Sequence, residues 1–521
     1  MLGLLFCLVS LISFAMALTE DPRPLIHFTP QNGWMNDPNG PWFDEKEQLW
    51  HLYFQYTPND TTGSSDLHWG HATSTDLSTW VDHGVAIAPE EKGQGIFSGS
   101  VVVDHNNTSG FFDDDIDPRQ RVVALYTLNS KDAQTQEVAY SIDGGYSFTK
   151  YEANPVLDVN SKQFRDPKVF WHEPSNHWVM VLAKSQEYKI QIFGSTDLKN
   201  WVLHSNFSAG LYGFQYECPG LFELPIEGED KKKWVMLLAI NPGMPLGGSA
   251  NQYFIGDFDG YRFIPDDSQT RIHDHGKDFY AFQSFSDAPL EDGVLGVAWA
   301  SNWQYAKHVP TKEWRGSTGI VRNHTLARMP ANPESDLLTL VQKPVIGSSV
   351  RAERLVEETN LTLSSSDPIS AKANKTGVFD IELTFTVSAE KKDSKVINIS
   401  ILSNSHNGTK EEITLGYDAN VEAFYVDRGI DNKFNKNPFF TDKISAFVEP
   451  LKTDKDSNKT FNLRAIVDKN LLEVFLNDGS STITNTFFMS EGSLPESVVL
   501  SASTDDTYMV DFAVDELSLR H

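Results

Sequence analysis

A strand–turn–strand unit recurs along the first two-thirds of the chain and restricts the fold more than any other feature. Ser74-Thr75-Asp76-Leu77-Ser78-Thr79-Trp80 returns as Ser195-Thr196-Asp197-Leu198-Lys199-Asn200-Trp201, and Ser141–Phe148 and Gly256–Phe263 are variants of it. The copies stand about sixty residues apart, a period long enough for several strands. Apolar runs fill the intervals: Trp50–Tyr56, Arg121–Leu128, Trp178–Ala183, Trp234–Ile240 and Val294–Ala300, each bounded by Gly, Asn, Asp or Pro. No long stretch keeps a 3.6-residue period. A sandwich would supply strands without a repeat; a period of this length points to propeller blades, roughly five of them between residues 24 and 340.

A chain of 521 residues exceeds what one core usually supports. The texture changes between about 330 and 366, where Ser, Pro and charged residues gather, so residues 341–366 are expected to connect two domains. Beyond them, alternating runs at Val378–Val387, Lys395–Leu402, Phe461–Asp468 and Leu471–Asp478, with Asn477-Asp478-Gly479 as a hairpin turn, predict a β-sandwich over 367–521. The expected fold is all-β, a five-bladed propeller over 24–340 followed by that sandwich.

Residues 1–17 read as a signal peptide, with an apolar stretch from Leu2 to Phe14 and the small-residue site Ala15-Met16-Ala17, although no Lys or Arg precedes them. Secretion is expected, with no membrane attachment after cleavage. Cys7 would leave with the signal, so Cys218 stands without an intrachain partner. Ten Asn-x-Ser/Thr sites fit a secreted glycoprotein. A formal charge of −28 repels phosphate backbones and argues against nucleic acid, while leaving neutral substrates free to approach.

Three carboxylates occupy unusual settings, each in a different expected blade. Asp37 lies in Trp34-Met35-Asn36-Asp37-Pro38-Asn39-Gly40, Asp166 in Phe164-Arg165-Asp166-Pro167, and Glu217 in Tyr216-Glu217-Cys218-Pro219-Gly220. The inner strands of a propeller begin at a shared funnel, so such residues converge. Retaining glycoside cleavage needs two carboxyls about 5–5.5 Å apart, one ionised and one protonated. Asp37, among polar neighbours, is expected to be the anion, and Glu217, in a less polar setting, the acid. Arg165 is expected to hold Asp166 ionised. Singly, Asp37 reads as a turn residue and Arg165-Asp166 as an ion pair; only the joint set points to chemistry. His172–His177 lacks the zinc-protease spacing, His273-Asp274-His275 is a polar loop cluster, and Asp113-Asp114-Asp115 lacks the calcium-loop pattern. No metal or organic cofactor is implied.

These residues resemble glycoside hydrolase family thirty-two, the invertases, inulinases, levanases and fructosyltransferases, with the yeast invertases as the most similar branch. His27-Phe28-Thr29-Pro30 leading into Trp34–Gly40 is similar to the family's nucleophile motif. Phe97-Ser98-Gly99-Ser100, Phe164–Pro167 and Glu217–Gly220 follow in the family's order. The resemblance runs through essentially the whole mature chain and implies the same propeller-plus-sandwich fold. It implies Asp37 as nucleophile, Glu217 as acid/base and Asp166 as transition-state stabiliser. Trp34, Asn36, Gln55, Phe97, Ser98, Arg165 and Trp303 would line the fructosyl pocket, and sucrose or a fructan would be the substrate.

Two departures bear on affinity. Thr57 replaces an Asn of the pattern, and Gly63 stands where an aromatic wall is expected, which predicts a wider mouth and a lower Michaelis constant for Gly63→Trp. Glycines also stand at Gly316 and Gly319 in Trp314–Gly319, where the pattern has serines. An exo-inulinase or fructosyltransferase would use the same carboxylates, and a carbohydrate-binding protein that has lost turnover is the reading from another class. The oligomeric state stays open, a homo-oligomer included.

Overall fold

The computed structural model describes residues 22–63, 66–289, 292–329, 337–389, 396–404, 408–503 and 508–520. The expected signal segment lies outside them. The described residues form strands and short 3-10 turns, with no α-helix among them.

Five antiparallel sheets of four principal strands make the propeller. Their innermost strands are Gly33–Asp44, Gly95–Val103, Phe164–His172, Tyr216–Pro225 and Tyr280–Ser284, each followed outward by the next strands in sequence. The repeat now has a physical meaning. It is the turn joining the third and fourth strands of blades one to four, and each copy carries an Asp that accepts backbone N–H bonds across the turn. Asp76 Oδ1 accepts from Ser78 and Thr79, Asp143 Oδ1 from Tyr146 and Ser147, Asp197 Oδ1 from Lys199 and Asn200, and Asp259 Oδ1 from Tyr261 and Arg262.

The apolar runs are continuous because each blade buries both faces. In the run Trp178–Ala183, Val179 and Val181 enter the core shared with blade four, whereas Met180 and Leu182 enter the core shared with blade two. Leu237 packs against blade five, and its neighbours Met236 and Leu238 pack against blade three. Five such cores lie between successive blades. The ring closes where Phe28, Met35, Leu52 and Phe54 of blade one meet Phe285, Leu295 and Val297 of blade five.

Beyond the propeller two sheets face each other around one core. The region 341–366, expected as a connection, is different. It holds the end of the blade-five strand Leu338–Pro344 and the fourteen-residue strand Val350–Leu363, which pairs with Tyr508–Leu519 at the sandwich edge. Val350–Leu363 is polar on both faces for most of its length, which hides it from a hydrophobicity pattern. The two domains meet in a seam of apolar residues, Ile26, Ile320, Ile466 and Phe475 among them, and of buried ion pairs considered below.

Candidate active site

Each of the five inner strands carries one extra residue relative to its neighbour, and the five bulges mark one end of the channel. They fall between Met35 and Pro38, Phe97 and Gly99, Arg165 and Lys168, Glu217 and Gly220, and Tyr280 and Gln283. A bulge swings a side chain off the pleat. Here each blade delivers one functional group, in chain order Asp37, Ser98, Asp166, Glu217 and Tyr280. Asp166, Cys218 and Ala281 take positive φ of 68°, 43° and 53° at the bulges, a conformation that the surrounding blades impose.

The groups are wired together. Ser98 Oγ donates to Asp37 Oδ2 at 3.1 Å, and Asn36 Nδ2 donates to Asp37 Oδ1 at 3.0 Å. The Cys218 thiol lies 3.6 Å from both Asp37 Oδ2 and Asp166 Oδ2, while its backbone N–H donates to Asp166 Oδ2 at 2.9 Å. Cys218 therefore bridges two carboxylates. Burial and those two acids push its thiol well above the ordinary range, so it stays a neutral donor.

Arg165 does not do what its sequence neighbour suggests. Its Nε and Nη2 both donate to Glu217 Oε1, at 3.1 and 2.9 Å, and Nη1 is anchored by Gln134 and Gln163. Tyr280 donates its hydroxyl to the other oxygen of Glu217. The expected apolar setting of Glu217 is thus replaced by two donors. The expectation that Arg165 holds Asp166 ionised also fails: burial pushes Asp166 up to about 7, against the pull of Arg165 and with the repulsion of Glu217. Burial pushes Asp37 up to about 6 despite the bonds from Asn36, Ser98 and Cys218. The bulge explains the exchange, because it turns Asp166 toward Cys218 and leaves the long arginine side chain to reach the next blade.

The other predicted residues surround this set. Trp34 Nε1 donates to Asn36 Oδ1 at 2.8 Å, and its indole stacks on Trp303 with centroids 5.9 Å apart. The Phe97 carbonyl accepts from Trp69 Nε1 at 3.0 Å, which ties the second bulge to blade one. Gln55 is 1% exposed and sits one layer back. With the Asn39 amide oxygen turned toward it, Gln55 donates from N and Nε2 at 3.0 Å, and Asn39 in turn donates to Ser98 Oγ at 3.3 Å. Gln55 therefore bears on Asp37 through Asn39 and Ser98. Gly63 overturns the expectation attached to it. It has φ of +69° and lies against the Trp34 indole, where a Cβ would stand 3.0 Å from Cε2. A side chain at this position would press on the Trp34 indole, so the space is narrower than the absence of a ring at residue 63 suggests.

Tyr280 and Cys218 escaped the sequence reading. A signal existed for Tyr280: one repeat period of about sixty residues separates it from Glu217, as it roughly separates Asp37, Ser98, Asp166 and Glu217 from one another. Among the described residues no cluster of His, Cys, Asp or Glu is arranged to hold a metal. At the other end of the channel a cavity of about 500 Å³ is lined by Lys168, Phe170, Phe222 and Ser284, away from the acid set.

Comparison with known proteins gives the family and the fold. The model for the N-terminal domain of glycosyl hydrolases family 32 matches residues 27–344, and that for the family's C-terminal domain matches 344–516. An extracellular exo-inulinase from Meyerozyma guilliermondii is 55% identical over 515 residues, 99% of each chain. Invertase 2 from Saccharomyces cerevisiae is 46% identical over 516 residues, 97% of each. Among solved structures, the β-fructofuranosidase from Schwanniomyces occidentalis complexed with fructosyl-erythritol superposes with a TM-score of 0.92 at 55% identity, covering 96% of this chain and 99% of that one.

Proposed function

The chain belongs to glycosyl hydrolase family 32 and is a β-fructofuranosidase, and from that premise we propose how its funnel cleaves the bond and on which substrate. Sucrose is the principal substrate, with Asp37 as nucleophile, Glu217 as acid/base and Asp166 as the anchor of the fructosyl hydroxyls. The observation that carries the assignment is the convergence of three carboxylates from three blades, Asp37 and Asp166 on one thiol and Glu217 on the neighbouring guanidinium.

Asp37 attacks the anomeric carbon of the fructosyl unit as Glu217 donates a proton to the departing glycosidic oxygen, giving an ester between Asp37 and the sugar. Glu217 then takes a proton from water, which attacks the same carbon and releases fructose with its configuration retained. Three acids around one cation, Asp37 and Asp166 buried and Glu217 partly so, cannot all be ionised cheaply. A proton therefore stays within the set near neutral pH, as the positions of Asp37 and Asp166 indicate. Arg165 and Tyr280, gripping opposite oxygens of Glu217, fix the carboxyl that must reach the leaving oxygen.

Release of glucose and fructose from sucrose by the purified protein, beside Asp37→Ala and Glu217→Ala, tests the reading. Activity in the parent and its loss in both variants supports it. A folded parent that leaves sucrose intact and cleaves inulin would move the substrate to fructans, as the exo-inulinase relative allows. Activity on neither would leave a binding protein. The apolar leader of residues 1–17 and the extracellular relative support secretion.

A further inference from the structure

Opposite the funnel, the channel through the propeller ends in a cavity of about 500 Å³, and one charged side chain stands inside it. Lys168 lies two residues beyond Asp166 on the inner strand of blade three and is 3% exposed. Its Nζ reaches across the channel to blade five and donates to Ser284 O at 2.6 Å. An ammonium carries three donors, and among the described residues this carbonyl is the one acceptor that meets it. No carboxylate of the described residues pairs with it, and burial pushes the amine down to about 7, so its charge is held at a cost. The hydrolysis uses neither the amine nor the cavity.

The walls around that amine are apolar, with Val102 from blade two, Phe170 from blade three, Phe222 from blade four and Phe285 from blade five. The acids among the lining residues have partners of their own or stand in solvent. Asp104 accepts from the backbone N–H groups and hydroxyls of Thr108 and Ser109, all within 2.9 Å. Asp287 holds His105 at 2.8 Å, and Glu173 accepts from Trp171 Nε1 at 2.6 Å. Glu223 is exposed. A guest therefore meets the ammonium donors of Lys168 set against apolar side chains. A neutral sugar would find few partners there for its many hydroxyls. A multiply charged anion such as phosphate would bring surplus charge against apolar walls and toward four acids. One carboxylate on an apolar body suits both the amine and the walls.

We propose that this cavity is a second ligand site, selective for a small monocarboxylate with an apolar or aromatic body, and that Lys168 is its anchor. The carboxylate accepts from the ammonium in a charge-assisted pair, which offsets the cost of burying that charge. The body of the ligand rests on Phe170, Phe222 and Phe285. The volume falls within the range of small-molecule sites. The cavity and the acid set lie at opposite ends of the channel, so the carboxylate and a sugar substrate bind side by side without competing.

Calorimetric titration of the full-length protein with benzoate, butyrate and acetate tests this, with benzyl alcohol, inorganic phosphate and glucose alongside. Benzoate should bind one site per chain with a Kd of about 1 mM or below. Butyrate should bind about tenfold tighter than acetate, as two further methylenes would give. Benzyl alcohol, which lacks the charge, should bind at least about tenfold more weakly than benzoate. Lys168→Met keeps the apolar stem, removes the charge and should abolish benzoate binding. Phe170→Ala leaves the ammonium in place and should weaken benzoate about fivefold, which tests the site even where Lys168→Met does not fold. KM for sucrose should be unchanged at saturating benzoate. No saturable binding at about 20 mM benzoate, tighter binding of phosphate or glucose, or full benzoate affinity in a folded variant would overturn the site. Competition between benzoate and sucrose would place the carboxylate in the funnel and overturn it equally.

Discussion

In the seam between propeller and sandwich, Glu473 meets Arg322 and His27; in the funnel, Asp37, Asp166 and Glu217 gather near one cation, Arg165, which pairs with Glu217 alone of the three. The seam is the more deeply buried of the two: the side chains of Arg322, Asp274 and Glu473 are at most 1% exposed, whereas that of Glu217 is 15% exposed. Arg322 pairs with Glu473 at Oε2 and with Asp274 at 3.0 Å, and Thr482 and Thr484 complete its donors. Arg428 pairs with Asp278 at 2.7 Å, and Asp468 caps the backbone N–H groups of Leu25, Ile26 and His27. Burial alone would raise Glu473; Arg322 and His27 outweigh it and hold the acid at about 2. In the funnel burial wins instead. Acids that each meet a cation make a joint, as the four seam carboxylates do with Arg322, Arg428 and His27, and acids without one make a reactive site whose ionisation costs stability.

The sharpest way to break that contrast is to neutralise one acid from each region. Asp37→Asn should lower kcat by about 10⁴-fold or more. Its folded-state pKa of about 6 lies above the unfolded 3.8, so the stability tied to its proton is complete below 3.8 and lost as pH rises through 6. At pH 7 the variant should therefore be more stable than the parent, by about 1–3 kcal/mol, in denaturant unfolding. Glu473→Gln should do the reverse. Leaving Arg322 short of its partner costs about 3–5 kcal/mol, while kcat at a temperature where the variant is folded stays within about threefold of the parent.

A pH series sharpens the comparison without mutation. Glu473, lowered to about 2 from 4.5, contributes stability that is present above 4.5 and lost as pH falls through 2. His27 has burial against its charge, but Asp468 and Glu473 raise it to about 9, so its contribution is complete below 6.5 and lost as pH rises through 9. Tm measured against pH should hold a plateau between about 4.5 and 6.5 as far as the seam governs it. In Glu473→Gln the fall on the acid side of that plateau should flatten. The smallest effect is expected from Cys218→Ser. The hydroxyl keeps a neutral donor between Asp37 and Asp166, so kcat should fall by less than about tenfold.

The fold was readable because blade burial leaves a local trace: apolar runs for strands covered on both faces, and an Asp-bearing turn repeated where third strands meet fourth. Val350–Leu363 left none, since it is largely polar and exposed between its buried ends and its partner strand, Tyr508–Leu519, lies far along the chain. The acids were readable from their settings, and their partners were not. Arg165 precedes Asp166 in sequence, yet a bulge sends it to Glu217, and that depends on a register no single strand records. Gly63 likewise reads as a missing ring until Trp34 is found in the space.

The central claim is that Asp37 carries the sugar. Glu217→Ala, which can neither protonate a leaving group nor activate water, should accumulate the ester when given a β-fructofuranosyl donor whose leaving group needs no proton. Quenching in acid, digesting and weighing the peptides should place one anhydrofructose unit on the peptide containing Asp37. A sugar found on Asp166, or turnover with no adduct on any peptide, would contradict the account.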